Sequence, residues 1–406
     1  MTKARALLPL VLPALVVGVG CSLVLLVISF AAESLQHLIW PDGSPVWWPL
    51  LILTLTGLAV GLLMWKIPTG PDPATESLVG PPLPVRVMPG MLLASILTLA
   101  GGVSLGPENP ITAATIAFAV ALGGRLMPLV GAPVWLALAV AGTVGAMFGT
   151  PVAAALILSE MALGSTSEPL WDRLFAPLIA AGAGAATTVL LAAPLLSVQV
   201  PDYPGVRLGD LLTGGLVAAV AAVLGMVAVY VFPHAHRLFH RASHPVLRLT
   251  LGGLALGVLG VIGGQITLFK GLEEMKELTE HAAAYTAGAL SLIVVVKLTA
   301  LVISACCAFV GGRIFPTVFV GVALGLLAAR LLGMPEPLAI GCAVLGLVLA
   351  ITQQGWLSLF MAVTVVTDLD LLPVLCLALL PAWLIVTGRP QMVISDAHEE
   401  PTQLPP

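Results

Sequence analysis

Gly106-Pro107-Glu108-Asn109-Pro110 sets one carboxylate between two prolines, with long apolar runs on both sides. An ionisable side chain at membrane depth is costly and marks a functional position by default. Proline interrupts an ordinary helical ladder, since it lacks the N–H and its ring clashes with the preceding turn. A helix beginning at Pro110 exposes the unpaired N–H groups of its first turn. Those groups carry the positive end of the helix dipole and form an anion site without a full charge. Glycine lets the backbone approach an ion closely. Gly312-Arg313-Ile314-Phe315-Pro316 repeats the Gly-x-x-x-Pro spacing and offers a second such start. Two starts aimed at one point would bind a small dehydrated anion. Glu108, itself an anion, can occupy that point and leave when protonated or displaced, acting as gate, competitor and proton carrier. The plainer alternative is a carboxylate that only caps a helix.

The elements that must hold these breaks are helices in a bilayer. The 406 residues are 59% hydrophobic and 9% charged, with mean hydropathy +1.09. A soluble domain carries about a quarter charged residues. Net charge −4 gives no basic signal for nucleic acid. The N-terminal apolar run is too long for a signal peptide and long enough to cross a bilayer. Lys3 and Arg5 place its start in the cytoplasm. Apolar runs recur at 8–31, 47–66, 86–104, 110–127, 132–163, 171–196, 209–232, 248–264, 283–310, 316–333, 337–352 and 356–387. The run at 132–163 is cut by Gly149-Thr150-Pro151, and the last by residues 367–373. Such cuts predict paired short helices or broken helices inside the protein, where protein or a water-filled cavity satisfies the irregular backbone. One membrane domain over 1–394 is expected, with repeat halves at about 8–197 and 209–388 and no soluble domain appended.

Other features read as structural. Cys21, Cys306, Cys307, Cys342 and Cys376 lie in apolar runs without metal-ligand spacing and read as small core hydrophobes. Residues 270–281 read as a solvated surface helix. His234, His236, His240 and His244 fall in a basic segment at 232–245, read as a surface loop rather than a metal site. The tail 395–406 is acidic and Pro-rich and predicts disorder. No HExxH, GxSxG or intramembrane Asp pair points to an enzyme, and no motif requires a cofactor.

These residues together resemble the CLC chloride channels and chloride/proton antiporters. "GPENP" stands where that family carries a GREGP-type gating motif, and "GGRIFP" where a GIFAP-type motif opens the matching helix. "LGGRL" at 122–126, "TPVAAALILSEM" at 150–161 with Glu160, Lys297, and "VVTDLDLLP" at 365–373 follow in the family's order, so the likeness runs from about residue 50 to 392. The resemblance implies an all-α integral membrane protein, an inverted repeat of tilted and broken helices, and a homodimer with one ion path per subunit. It implies transport of a small inorganic anion, chloride foremost, through a channel or with H+ as an antiporter. The expected setting is a prokaryotic inner membrane.

The departures are as informative. Where the family's GSGIP motif supplies a serine hydroxyl, residues 69–78 put Gly70, and where the family carries a tyrosine near the C-terminus, "GRPQMV" at 388–393 puts Met392. Pro107 replaces the motif's arginine and removes one backbone donor. The candidate anion-binding positions are therefore Gly70, Gly106, Glu108, Asn109, Arg313, Ile314, Phe315 and Met392. Arg313 either faces the path or snorkels to the interface. Asp72 either repels anions or caps the helix that follows. The antiporters' inner acid has no match in 190–200, leaving Glu160 and Glu168 as candidates. The altered donors keep a fluoride exporter open, as well as nitrate as cargo and a non-conducting homologue.

Overall fold

A computed structural model describes residues 8–71, 73–76, 78–160, 169–192 and 196–394. Its helices are α1 Val11–Ile39, α2 Trp48–Lys66, α3 Met88–Ala100, α4 Glu108–Leu126, α5 Ala132–Phe148, α6 Pro151–Glu160, α7 Leu170–Leu191 and α8 Leu208–Phe239. They continue as α9 Pro245–Gly263, α10 Leu272–Glu280, α11 Ala287–Cys306, α12 Ile314–Leu332, α13 Glu336–Thr352, α14 Gly355–Val366 and α15 Leu372–Val386. Among the described residues, eight helical stretches are long and apolar enough to cross a membrane. Lys3, Arg5, Asp72, Glu168 and the tail 395–406 lie outside the described residues.

Burial inverts the pattern of a soluble bundle. Large apolar side chains on α1, α2, α8 and α9 face outward, Phe30, Leu55, Val231 and Leu254 among them. Helices apolar all round belong in a core or a bilayer. The centre is instead made of short elements. α13 is buried from Pro337 to Ile351, and α12 from Ile314 to Ala323. The α2–α9 pair shows how closely backbones meet. A Cβ on Gly57 would lie 2.1 Å from the Leu249 oxygen, and one on Gly253 would lie 2.1 Å from the Leu53 oxygen. Small residues at a helix interface permit that approach in a membrane, where lipid removes the hydrophobic drive.

The cuts expected from the sequence fall where glycine and proline put them. α5 stops at Phe148, Gly149 takes φ +66, and Pro151 opens α6. α14 stops at Val366, Thr367 takes φ +57, and α15 starts at Leu372. Four expectations are corrected. α4 begins at Glu108 with Pro107 as N-cap, not at Pro110, so the carboxylate belongs to the first turn. Residues 232–239 continue α8 as helix rather than loop, with the His236 and His240 rings stacked 3.7 Å apart. α10 is not wholly solvated: Leu272, Met275 and Leu278 are buried. Cys376 is exposed, while the other four cysteines are buried.

Candidate anion site

α3 and α11 end in the same way, one ahead of each break. Gly102 takes φ +87, and the N–H of Val103 returns to the Thr98 oxygen at 3.3 Å. Ala308 takes φ +67, and the N–H of Phe309 returns to the Ser304 oxygen at 3.3 Å. Both reversals send a short loop back into the protein. There the loops meet: Gly106 N–H donates to the Gly312 oxygen at 2.9 Å, and Gly312 N–H to the Gly106 oxygen at 2.7 Å. This isolated antiparallel bridge joins equivalent positions of the two halves. The pairs Thr98/Ser304, Gly102/Ala308, Gly106/Gly312, Glu108/Ile314 and Pro110/Pro316 keep one constant separation in sequence.

From the bridge, α4 and α12 start. Glu108 is fully buried. Its Oε1 accepts from the N–H of Ile314 at 2.6 Å and of Phe315 at 3.4 Å. The carboxylate of one half thus sits on the helix N-terminus of the other. Orphan first-turn N–H groups and the dipole's positive end both favour a negative group there. Its Oε2 has no hydrogen-bond partner among the described residues. The cradle exists because both bridge residues lack side chains. A Cβ on Gly106 would lie 2.0 Å from Oε2, and one on Gly312 would lie 2.2 Å from Cδ of the same carboxylate.

The remaining sequence candidates divide. Arg313 is buried rather than snorkelled, at 6% exposure. Its Nη2 donates to the Glu76 oxygen at 2.9 Å, and Asn109 Nδ2 donates to that oxygen at 3.5 Å. Asn109, Arg313 and Ile314 line a cavity of about 250 Å³. Glu160 lines it too, its Oε1 accepting from the N–H of Gly355 at 2.9 Å at the start of α14. Gly70 takes φ +76, and a Cβ there would meet the side chains of Val87, Met91 and Leu83 at 3.4–3.7 Å. Met392 is fully buried in the hydrophobic core, while its neighbours Gln391 and Val393 line the cavity. Thr352, Gln353 and Gln354 complete the polar wall and went unremarked in the sequence. The polar run Thr-Gln-Gln at 352–354, between two apolar helices, was the signal available.

The family model for the voltage-gated chloride channel matches residues 69–387. The chain belongs to that family. "Putative ion-transport protein YfeO" of Escherichia coli strain 55989 is 50% identical over 411 residues, covering 98% of each chain. The protein of that name from strain K12 / DH10B is likewise 50% identical, again over 98% of each chain. A CLC-type fluoride/proton antiporter superposes with TM-score 0.78 at 22% identity, covering 94% of this chain and 95% of its own. A slow cyanobacterial Cl−/H+ antiporter superposes with TM-score 0.78 at 18% identity, over 93% and 94%. The fold is therefore the family's all-helical membrane architecture, and the family is one of ion transport rather than of enzymes.

Proposed function

We propose that this protein moves small inorganic anions, chloride foremost, between the starts of α4 and α12, with Glu108 as the gate. The observation that carries this reading is the Glu108 carboxylate seated on the N–H groups of Ile314 and Phe315. The carboxylate stands where a free anion would take the same donors. Protonation removes its charge and its hold on the helix end, and the anion then replaces it. Glu160 borders the cavity that reaches Ile314, and it is the acid we assign to proton exchange on that side. Fluoride is the second reading. It is favoured by the positions of Gly70 and Met392, which bring no hydroxyl and leave the anion to backbone N–H groups. We place the protein in the bacterial inner membrane as a homodimer, which its mass in detergent tests.

The deciding experiment records anion efflux and internal pH together in liposomes loaded with chloride, fluoride or nitrate. Wild-type flux should rise as pH falls. Glu108→Gln should abolish both that dependence and proton movement. Absence of flux for every anion would overturn the transport reading, and flux without proton movement would make the protein a channel.

A further inference from the structure

The basic segment at 232–245 takes no part in the anion site and belongs to a strongly charged end of the molecule. α2 closes there at Lys66, α8 closes at Phe239, and α9 opens at Pro245. α2 and α9 run side by side, with a Cβ on Gly61 lying 2.7 Å from Val246 Cα. The Trp65 and His244 rings meet at 5.5 Å between centroids. Lys66, Arg237 and Arg241 are exposed. No Asp or Glu occurs in the sequence between Asp210 and Glu273. The acids stand at the opposite end of the same helices. Asp210 is in the first turn of α8, and α10, which follows α9, carries Glu273, Glu274, Glu277 and Glu280. A membrane protein divided in this way holds its basic end in the cytoplasm.

The surroundings of these cations are those of a headgroup layer. Trp65 is 52% exposed, and Lys66 Nζ sits 3.6 Å from the centre of its ring. Exposed tryptophans belong at the membrane–water boundary, where one end is apolar and the other wet. His244 Nδ1 accepts from the N–H of Val246 at 3.3 Å, so in the neutral ring Nε2 is the donor nitrogen. Leu238, next to Arg237, and Leu247 at the start of α9 are exposed as well. A long cationic side chain beside exposed apolar ones lays its stem on the acyl chains and its charge among the phosphates. A soluble anion would use the charges alone, whereas a lipid uses the leucines too.

We propose that this end of α2, α8 and α9 binds the headgroups of anionic phospholipids in the cytoplasmic leaflet. Lys66 and His244 hold a headgroup beside Trp65, and Arg237 and Arg241 extend the hold along the end of α8. Basic residues next to a spanning helix are drawn to anionic lipid over a Debye length. A zwitterionic headgroup brings its own ammonium and leaves the cations with less to gain. The proposal stands apart from the transport reading, because lipid binding is measurable without flux.

The test is native mass spectrometry of the detergent-solubilised protein, titrated with dioleoylphosphatidylglycerol or with dioleoylphosphatidylcholine. Each Lys or Arg near an anionic surface is worth a factor of about five. Wild type should therefore bind the anionic lipid about tenfold more tightly than the zwitterionic one, since one headgroup reaches more than one cation. The combined variant Lys66→Gln, Arg237→Gln, Arg241→Gln should bind the two lipids alike. Equal affinities in wild type would overturn the proposal, as would a preference that survives the combined variant. Should that variant fail to fold, Arg241→Gln alone, in the link after α8, should lower the preference about fivefold. An unchanged preference would then overturn the proposal. Lys276→Gln removes one cation from the acidic end and should leave the preference intact. A loss there equal to that of Arg241→Gln would put the effect down to net charge and overturn the assignment to this surface. Glycerol 3-phosphate supplies the headgroup without the chains and should bind far more weakly. Binding as tight as that of the whole lipid would overturn the lipid assignment in favour of a soluble phosphate.

Discussion

The two breaks are built to one plan and furnished differently. Each follows a helix that ends on a left-handed residue, and each passes through one glycine of the same two-bond bridge. Each then opens a helix with proline at its third position. Yet the first break carries the carboxylate and the second supplies the bare N–H groups that receive it. The resembling family has its motif arginine at the position of Pro107. Here an arginine stands at the equivalent position of the other half, Arg313. Backbone symmetry makes the site and broken side-chain symmetry gives it a direction: only one half can be protonated there.

That contrast can be broken most severely at the bridge. Alanine at either Gly106 or Gly312 would drive a Cβ into the Glu108 carboxylate, at 2.0 Å from Oε2 and 2.2 Å from Cδ respectively. The side chain is the movable partner, so both variants should expel it from the cradle. Flux at neutral pH should rise about tenfold, the worth of a charge-assisted hydrogen bond, and become insensitive to acid. Combining either with Glu108→Gln should add nothing. Additive effects in paired flux assays would mean that the glycines serve something other than the carboxylate.

Lys297 tests an asymmetry in the supports. Its counterpart by the same separation is Met91. Lys297 is fully buried, and its Nζ donates to the Leu268 oxygen at 2.5 Å and the Phe269 oxygen at 2.8 Å. Phe269 N–H in turn donates to the Gly102 oxygen at 3.0 Å, so a second-half lysine steadies the first break. Lys297→Met should cost about 3 kcal/mol by leaving two buried carbonyls unpaired. A clear fall in the detergent melting midpoint is expected, and an unchanged midpoint would remove Lys297 from the scaffold.

The smallest effects lie at the two left-handed residues. Gly102→Ala would place a Cβ 2.9 Å from Trp40 Cζ2 and strain a φ of +87, for a cost of about 1–2 kcal/mol. Ala308→Gly relieves φ +67 and should gain up to about 1 kcal/mol. Melting midpoints moving in opposite directions would confirm that the two halves solve one turn at different cost. A shift of the same sign in both would refute the equivalence.

Much of this was legible in the sequence because glycine and proline leave few options. Gly149-Thr150-Pro151 split a run that hydropathy alone would have joined. The matched Gly-x-x-x-Pro spacings revealed the paired breaks. The helix starts were set two residues late because proline was read as the first helical residue. None of the first-turn N–H groups has a helical partner, so proline at the third position costs no bond. One side chain and one helix face needed the third dimension. Met392, matched to a tyrosine position, is buried in the core, while Gln391 and Val393 on either side of it line the cavity. In α10 the charges hid the spacing of Leu272, Met275 and Leu278, whose buried face fixes the helix to the bundle.

The glycine bridge also bears on time. Two backbones bonded to each other through Gly106 and Gly312 leave the loops little freedom, and the Glu108 side chain between them turns about single bonds. Rotamer changes take picoseconds to nanoseconds where space permits, whereas rocking helices takes microseconds or longer. If Glu108 is the gate proposed above, that gate does not wait on the scaffold. Under that proposal its tempo is set by how often a proton arrives, and transport would slow when protons are scarce rather than when the protein is stiff.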